Sequence, residues 1–213
     1  MHPDRARPRL VQLLREKGIR DEAVLEAVGR VPRHAFVEQG LRHRAYADEA
    51  LPIGLGQTIS QPFTVAYQTA MLEVAPFDRI LEIGTGSGYQ AAVLCELEAR
   101  VFSVERHRPL LQDTAKLLKA LGYRVRTRHG DGAEGWRAYA PYDGIVVTAG
   151  SDDVPRALLQ QLREPEGDKR GGRLVIPVGD RDGQVMRRIT RVGPDDYEEE
   201  VGDTFRFVAF VRS

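Results

Sequence analysis

Cysteine is nearly absent. One thiol, Cys95, stands in 213 residues, so the chain cannot close a disulfide on itself. No CxxC pair or His/Cys cluster has zinc-ligand spacing, and no metal is expected. Tryptophan is equally scarce, with Trp136 alone, read as a packing residue. No apolar run approaches the ~20 residues that cross a bilayer. The start, Met1-His2-Pro3-Asp4-Arg5, carries no apolar signal core, so a cytoplasmic chain with no membrane partner is expected. Charge of either sign is not in excess, since 31 Lys and Arg balance 31 Asp and Glu. Nucleic-acid binders are normally basic, which argues against that partner class. Arg124, Arg126 and Arg128 do cluster, but their alternation reads as one solvated face of a strand. The 42% hydrophobic content is enough for one substantial domain.

What is present is organised around Leu81-Glu82-Ile83-Gly84-Thr85-Gly86-Ser87-Gly88-Tyr89. Arg79 to Ile83 reads as a buried strand, and the apolar pattern resumes as a helix at Gln90. Strand, glycine turn and helix make the first half of a nucleotide-binding βαβ unit. Gly84 allows the tight turn, Gly86 lets backbone approach a ligand, and Gly88 lets the helix pack near the strand. The spacing is GxGxG rather than the GxGxxG of dinucleotide binders. Glu82 can meet a cationic amino group. Glu105, about 20 residues past the glycines, can take both hydroxyls of a ribose. Asp131, between Gly130 and Gly132, can accept from an exocyclic amine such as adenine N6. A zwitterionic end, a diol, an adenine and no phosphate describe S-adenosylmethionine.

The flanking chain supplies a doubly wound, mostly parallel sheet of the α/β class. Residues 4 to 40 read as helical, with Gly18 closing one helix and Asp21 capping the next. Phe36 and Val37 dock this extension (residues 1–49) on the main body. Residues 50–62, rich in Gly and Pro, read as a shaped loop rather than a strand or helix, and Pro62 opens the following helix. The core (residues 63–213) alternates. Arg100 to Val104 is a strand, and Pro109 opens a helix with Leu110, Thr114, Leu117, Leu118 and Leu121 inward. Val125 to Arg128 and Tyr142 to Thr148 are strands, the latter central. Val154 to Leu162 reads as a helix, Glu164 to Gly172 as a solvated, mobile loop, and Arg173 to Val178 as a strand. Gln184 to Val192 and Thr204 to Val211 read as two antiparallel strands, in an order the pattern leaves open.

Leu51 to Gly54, Gly56 to Pro62, Leu81 to Gln90, Gly130-Asp131-Gly132, Gly135-Trp136, Ala140 to Asp143 and Gly171 to Gly179 together resemble the protein-L-isoaspartate O-methyltransferases. The resemblance runs from Val31 to Val208, and the Gln57 to Pro62 loop is its most specific part. It implies a single domain of the Rossmann-like class I S-adenosylmethionine methyltransferase type. It also implies a repair enzyme that methylates the free α-carboxylate of L-isoaspartyl residues, and more weakly D-aspartyl residues, in damaged proteins and peptides. The ester then closes to a succinimide. Ser60 falls on the family's active-site serine, and Thr58, Ile59, Ser60, Thr85, Glu105, Gly130 and Asp131 fall on its cofactor contacts. Ser60 and Gln61 are assigned to substrate, and a monomer is expected. Three stretches depart from the family pattern: Thr148 to Asp152 and Val208-Ala209-Phe210, which are expected at the pocket rim, and the loop Glu164 to Arg170, which is longer than usual. Another S-adenosylmethionine enzyme, an inactive cofactor-fold binder and a nicotinamide oxidoreductase are the rival readings.

Overall fold

The computed structural model describes residues 3–180 and 182–210. Met1, His2 and Val211, which entered the reading of the two ends, lie outside them. Helices α1 (Pro3–Glu16) and α2 (Glu22–Arg30) form an antiparallel pair, broken at Gly18 with its φ of 105°. Asp21 caps α2 as expected: Val24 N–H donates to its Oδ1 at 3.1 Å. Leu14 and Leu25 are wholly enclosed, each burial contributing about 2–3 kcal/mol. Residues 33–36 and 39–44 are 3₁₀ turns rather than α-helix, and Phe36 meets the ring of Tyr89 edge-on at 5.8 Å. That contact docks the extension.

Residues 50–62 depart from the expected loop. They hold a small antiparallel hairpin of β1 (Leu51–Gly54) and β2 (Gln57–Ile59). Gly54, Leu55 and Gly56 all have positive φ, which reverses the chain and leaves Leu55 exposed at the tip. Next come α3 (Pro62–Leu72), β3 (Arg79–Ile83), α4 (Tyr89–Glu96), β4 (Arg100–Glu105), α5 (Arg108–Ala120) and β5 (Val125–His129). They are followed by β6 (Gly144–Val147), α6 (Arg156–Leu159), β7 (Arg173–Gly179), β8 (Gln184–Arg191) and β9 (Tyr197–Phe205). The main sheet has the order β5-β4-β3-β6-β7-β8-β9, parallel through β7 and antiparallel after it. All four residues of β6 are buried, as a central strand requires. One core lies on the α2, α3 and α4 face around Ile80, Val101 and Val146; the other surrounds Leu81, Ile145 and Leu174.

Three boundaries differ from expectation. On α5 the enclosed positions are Leu111, Thr114 and Leu118, while Leu110, Leu117 and Leu121 are only partly covered. The helix α6 is one turn long; its expected continuation is replaced by a bridge from Leu162 to Tyr142. The last strand lies at Tyr197–Phe205 rather than 204–211, because β9 is an edge strand exposed on both faces and shows no alternation. Glu164 to Arg170 is exposed throughout, in line with a solvated loop, but Gly171 and Gly172, expected in the same loop, are buried where the chain passes against the Arg191 and Tyr142 backbone.

The chain steps outward from β3 to β4 and β5, then returns to place β6 against the other side of β3. Ligand crevices of open α/β sheets form at such a reversal, outside the carboxyl ends of the strands.

Candidate active site

At that reversal lies a cleft open to solvent. The glycine turn forms its floor. The N–H groups of its three glycines are already committed: Gly84 donates to Val104 O at 2.8 Å, Gly86 to Glu105 Oε2 at 2.9 Å and Gly88 to Thr85 O at 2.8 Å. Gly84 cannot carry a side chain, since a Cβ there would stand 2.5 Å from Thr148 Oγ1. That hydroxyl donates to the Ile83 and Gly84 carbonyls, tying β6 to the turn. At Gly88 the close neighbour is not the strand but α5, with a Cβ position 2.8 Å from Thr114 Cγ2.

Three acids were expected to converge here. Glu82 and Glu105 line the cleft; Asp131 does not, and neither does Gly130. Asp131 instead accepts from Ala133 N–H at 2.9 Å, so a turn-capping bond is its observed role. Gly132 does line the cleft, wedged against Ile83 and Phe210. Glu105, 5% exposed, spends both oxygens as anchors, one on Gly86 N–H and the other on His107 N–H at 2.8 Å. Glu82 is fully buried. Its Oε2 accepts from Ser103 Oγ at 2.5 Å, Ser103 shares a 2.6 Å bond with Thr85 Oγ1, and its Oε1 has no partner. Burial, reinforced by the neighbouring Glu105, pushes the Glu82 carboxyl up to about 8 against an ordinary 4.5.

That shift has a consequence for stability. Between its ordinary range and about pH 8 the folded chain holds a Glu82 proton that the unfolded chain has released. Stability therefore falls as pH rises through this window. Urea midpoints at pH 5.5 and 8 are expected to separate less in Glu82→Gln than in the parent chain. Equal separations in the two proteins would show that Glu82 does not carry the effect.

Thr58, Ile59 and Ser60 come from the end of the hairpin and line the same cleft, with Gly84, Thr85 and Gly86 opposite. Ser60 also lines a second, adjoining cleft, shared with Phe63, Phe205 and Arg206. Among the described residues the Ser60 hydroxyl makes no hydrogen bond within the protein, and it does not cap α3. Asp48 caps that helix instead: its Oδ1 accepts from Phe63 N–H at 2.8 Å, and its Oδ2 from Gln61 Nε2 at 2.9 Å and Lys17 Nζ at 2.5 Å. Gln61 thus has a structural bond, though it too lines the second cleft. Asp48 was missed because its sequence neighbourhood carries no helix signal; it acts across fifteen residues. Asp48→Ala is expected to cost about 1–2 kcal/mol, the worth of a lost N-cap, as a lowered urea midpoint. An unshifted midpoint would deny Asp48 that function.

Other cleft residues were also missed. His107 Nε2 and Gln90 Oε1 are buried there without protein partners, like Glu82 Oε1. Ala209 and Phe210 arrive from the far end of the chain. Gly150 N–H donates to Val208 O at 2.8 Å and Phe210 N–H to Gly150 O at 2.7 Å. The two departing stretches expected at the pocket rim are therefore paired with each other.

A family model described as protein-L-isoaspartate(D-aspartate) O-methyltransferase matches residues 5–213. The chain belongs to this family. A Salinibacter ruber protein-L-isoaspartate O-methyltransferase is 67% identical over 209 residues, covering 96% of this chain and 91% of the relative. A solved protein-L-isoaspartate O-methyltransferase superposes with a TM-score of 0.84 at 28% identity. That match covers 95% of this chain, which spans 65% of the solved one. A Plasmodium falciparum chain of the same description, solved with S-adenosyl-L-homocysteine, gives a TM-score of 0.81 over 96% of this chain and 97% of its own. At 22% identity that likeness speaks for the fold. Trp136 packs edge-on against Phe102 and Tyr139 and does not line this cleft.

Proposed function

We propose that this chain transfers a methyl group from S-adenosylmethionine to the free α-carboxylate of L-isoaspartyl residues, and more weakly of D-aspartyl residues, in damaged proteins and peptides. The observation that carries the reading is Ser60, a hydroxyl without a protein partner in the wall shared by two adjoining clefts. One cleft suits the cofactor and the other an extended peptide.

The first cleft fits S-adenosylmethionine by its polar atoms. Unpartnered Glu82 Oε1, Gln90 Oε1 and His107 Nε2 await ligand groups, since buried polar atoms are normally bonded. An arriving ammonium would favour the Glu82 carboxylate over its protonated form. Glu105 stands where a diol can be held, with acceptor capacity left beyond its two backbone bonds. Thr58, Ile59 and the glycine turn enclose the remainder. A dinucleotide fits poorly, because the glycine spacing is not that of pyrophosphate binders and the Gly84, Gly86 and Gly88 N–H groups are bonded within the protein. Gly88, Gly130 and Asp131 stand behind the lining of the cleft, Asp131 holding the Ala133 N–H.

Bound there, S-adenosylmethionine would supply an electrophilic methyl group carried on a sulfonium. The substrate carboxylate, with an ordinary pKa near ~4, is already ionised at neutral pH and needs no general base. Ser60 donates a hydrogen bond to one of its oxygens and so aims the other. Such positioning is the main catalytic contribution open to this chain. Action as a monomer is part of the proposal. The zero formal charge supports a protein rather than a nucleic-acid substrate. No helix among the described residues is long and apolar enough to cross a membrane; a cytoplasmic site of action is part of the proposal.

The test is methyl transfer from radiolabelled S-adenosylmethionine to paired peptides differing only in isoaspartate or aspartate. Base-labile label on the isoaspartyl peptide alone supports the proposal. Equal labelling of both removes the repair function, and no labelling with intact cofactor binding removes the activity.

A further inference from the structure

We infer that Arg206 is a specificity-determining residue of the substrate cleft, drawing the isoaspartyl α-carboxylate to Ser60; this rests on the function proposed above. The second cleft takes its walls from the start of α3, the end of β9 and the segment after it. Among the described residues lining it, only two carry full charge, Arg206 and Asp182. Among the described residues Arg206 is therefore the single cation lining the cleft that the substrate would enter.

The arginines of the adjacent strand β8 are neutralised. Arg187 pairs with Glu199, Arg188 with Glu73 and Glu200, and Arg191 with Glu164. Arg206 has no carboxylate within ion-pair distance among the described residues, Asp182 included. Local packing explains why it stays exposed. Phe205 and Phe207 on either side turn into the hydrophobic core, their rings 6.3 Å apart, and Phe207 N–H donates to Gln184 Oε1 at 2.8 Å. The residue between two anchored aromatics remains on the solvent side, beside the cleft.

The electrostatics of the site give this cation work. The substrate is an anion, and the adjoining cofactor cleft contains the Glu105 carboxylate. A carboxylate approaching Ser60 therefore meets like charge ahead of it. A mobile guanidinium at the cleft wall offsets that repulsion and offers a paired donor geometry to the carboxylate. Because the contact forms before and during transfer alike, it contributes to substrate capture rather than to the chemical step.

The test compares the parent chain with Arg206→Ala and Arg206→Lys on an isoaspartyl peptide and on its α-carboxamide analogue, the latter as a competitive inhibitor. Arg206→Ala is expected to raise KM for the peptide by about 10-fold with kcat nearly unchanged. Arg206→Lys is expected to recover most of that loss. Affinity for S-adenosylhomocysteine and for the uncharged carboxamide is expected to stay as in the parent. An unaltered KM, or an equal weakening of carboxylate and carboxamide peptides, would overturn the inference. If the parent chain methylates no isoaspartyl peptide, the proposed function itself fails, a result distinct from either.

Discussion

Ser60→Ala is expected to lower kcat on an isoaspartyl peptide by about 100-fold, the scale seen when one positioned donor is removed from a reacting oxygen. Affinity for S-adenosylhomocysteine should change little, since the serine is one wall residue of the cofactor cleft among many. The argument is geometric. A carboxylate has two equivalent oxygens and rotates freely, so holding one in a hydrogen bond fixes the direction of the other. The hydroxyl is free to do this because Asp48 supplies the helix cap that a serine at this position could otherwise have been recruited to provide. Single-turnover kinetics at saturating cofactor would measure the loss directly. An unchanged rate would leave Ser60 as a spacer.

Glu105→Ala should produce the largest change in cofactor affinity, a rise in the dissociation constant of S-adenosylhomocysteine of about 100-fold or more. Two effects add. The diol would lose its acceptor, and Gly86 and His107 would lose the carboxylate that holds their N–H groups. A hydrogen bond to a charged group contributes about 1.5–3 kcal/mol, so the glycine turn and the start of α5 would both loosen. Glu105→Gln keeps one oxygen acceptor and should fall between. Titration calorimetry with S-adenosylhomocysteine measures the series. Parent-like affinity in Glu105→Ala would move the diol site elsewhere.

The glycine turn was legible because its signal is local: a buried apolar strand, then glycines at alternate positions, then a helix within a dozen residues. The parallel order of β3 to β7 followed from the same alternation. Residues whose roles come from long-range partners were not legible. Asp131 has the right position in sequence, yet its Oδ1 bonds Ala133 two residues on, and it does not line the cleft. The hairpin β1–β2 was hidden because a three- or four-residue strand containing Pro52 shows no periodicity. At β9, a run of glutamates on an edge strand offered no apolar face to detect. Phe210 reaches the cleft only through backbone bonds to Gly150.

That last feature bears on how the protein is made. The glycine turn and its acids are synthesised early, but Val208, Ala209 and Phe210 complete the cleft from well over a hundred residues downstream. A chain lacking these positions would lack one wall of the cleft. Competence to bind the methyl donor thus depends on residues 208–210 being in place, not on the nucleotide-binding half alone.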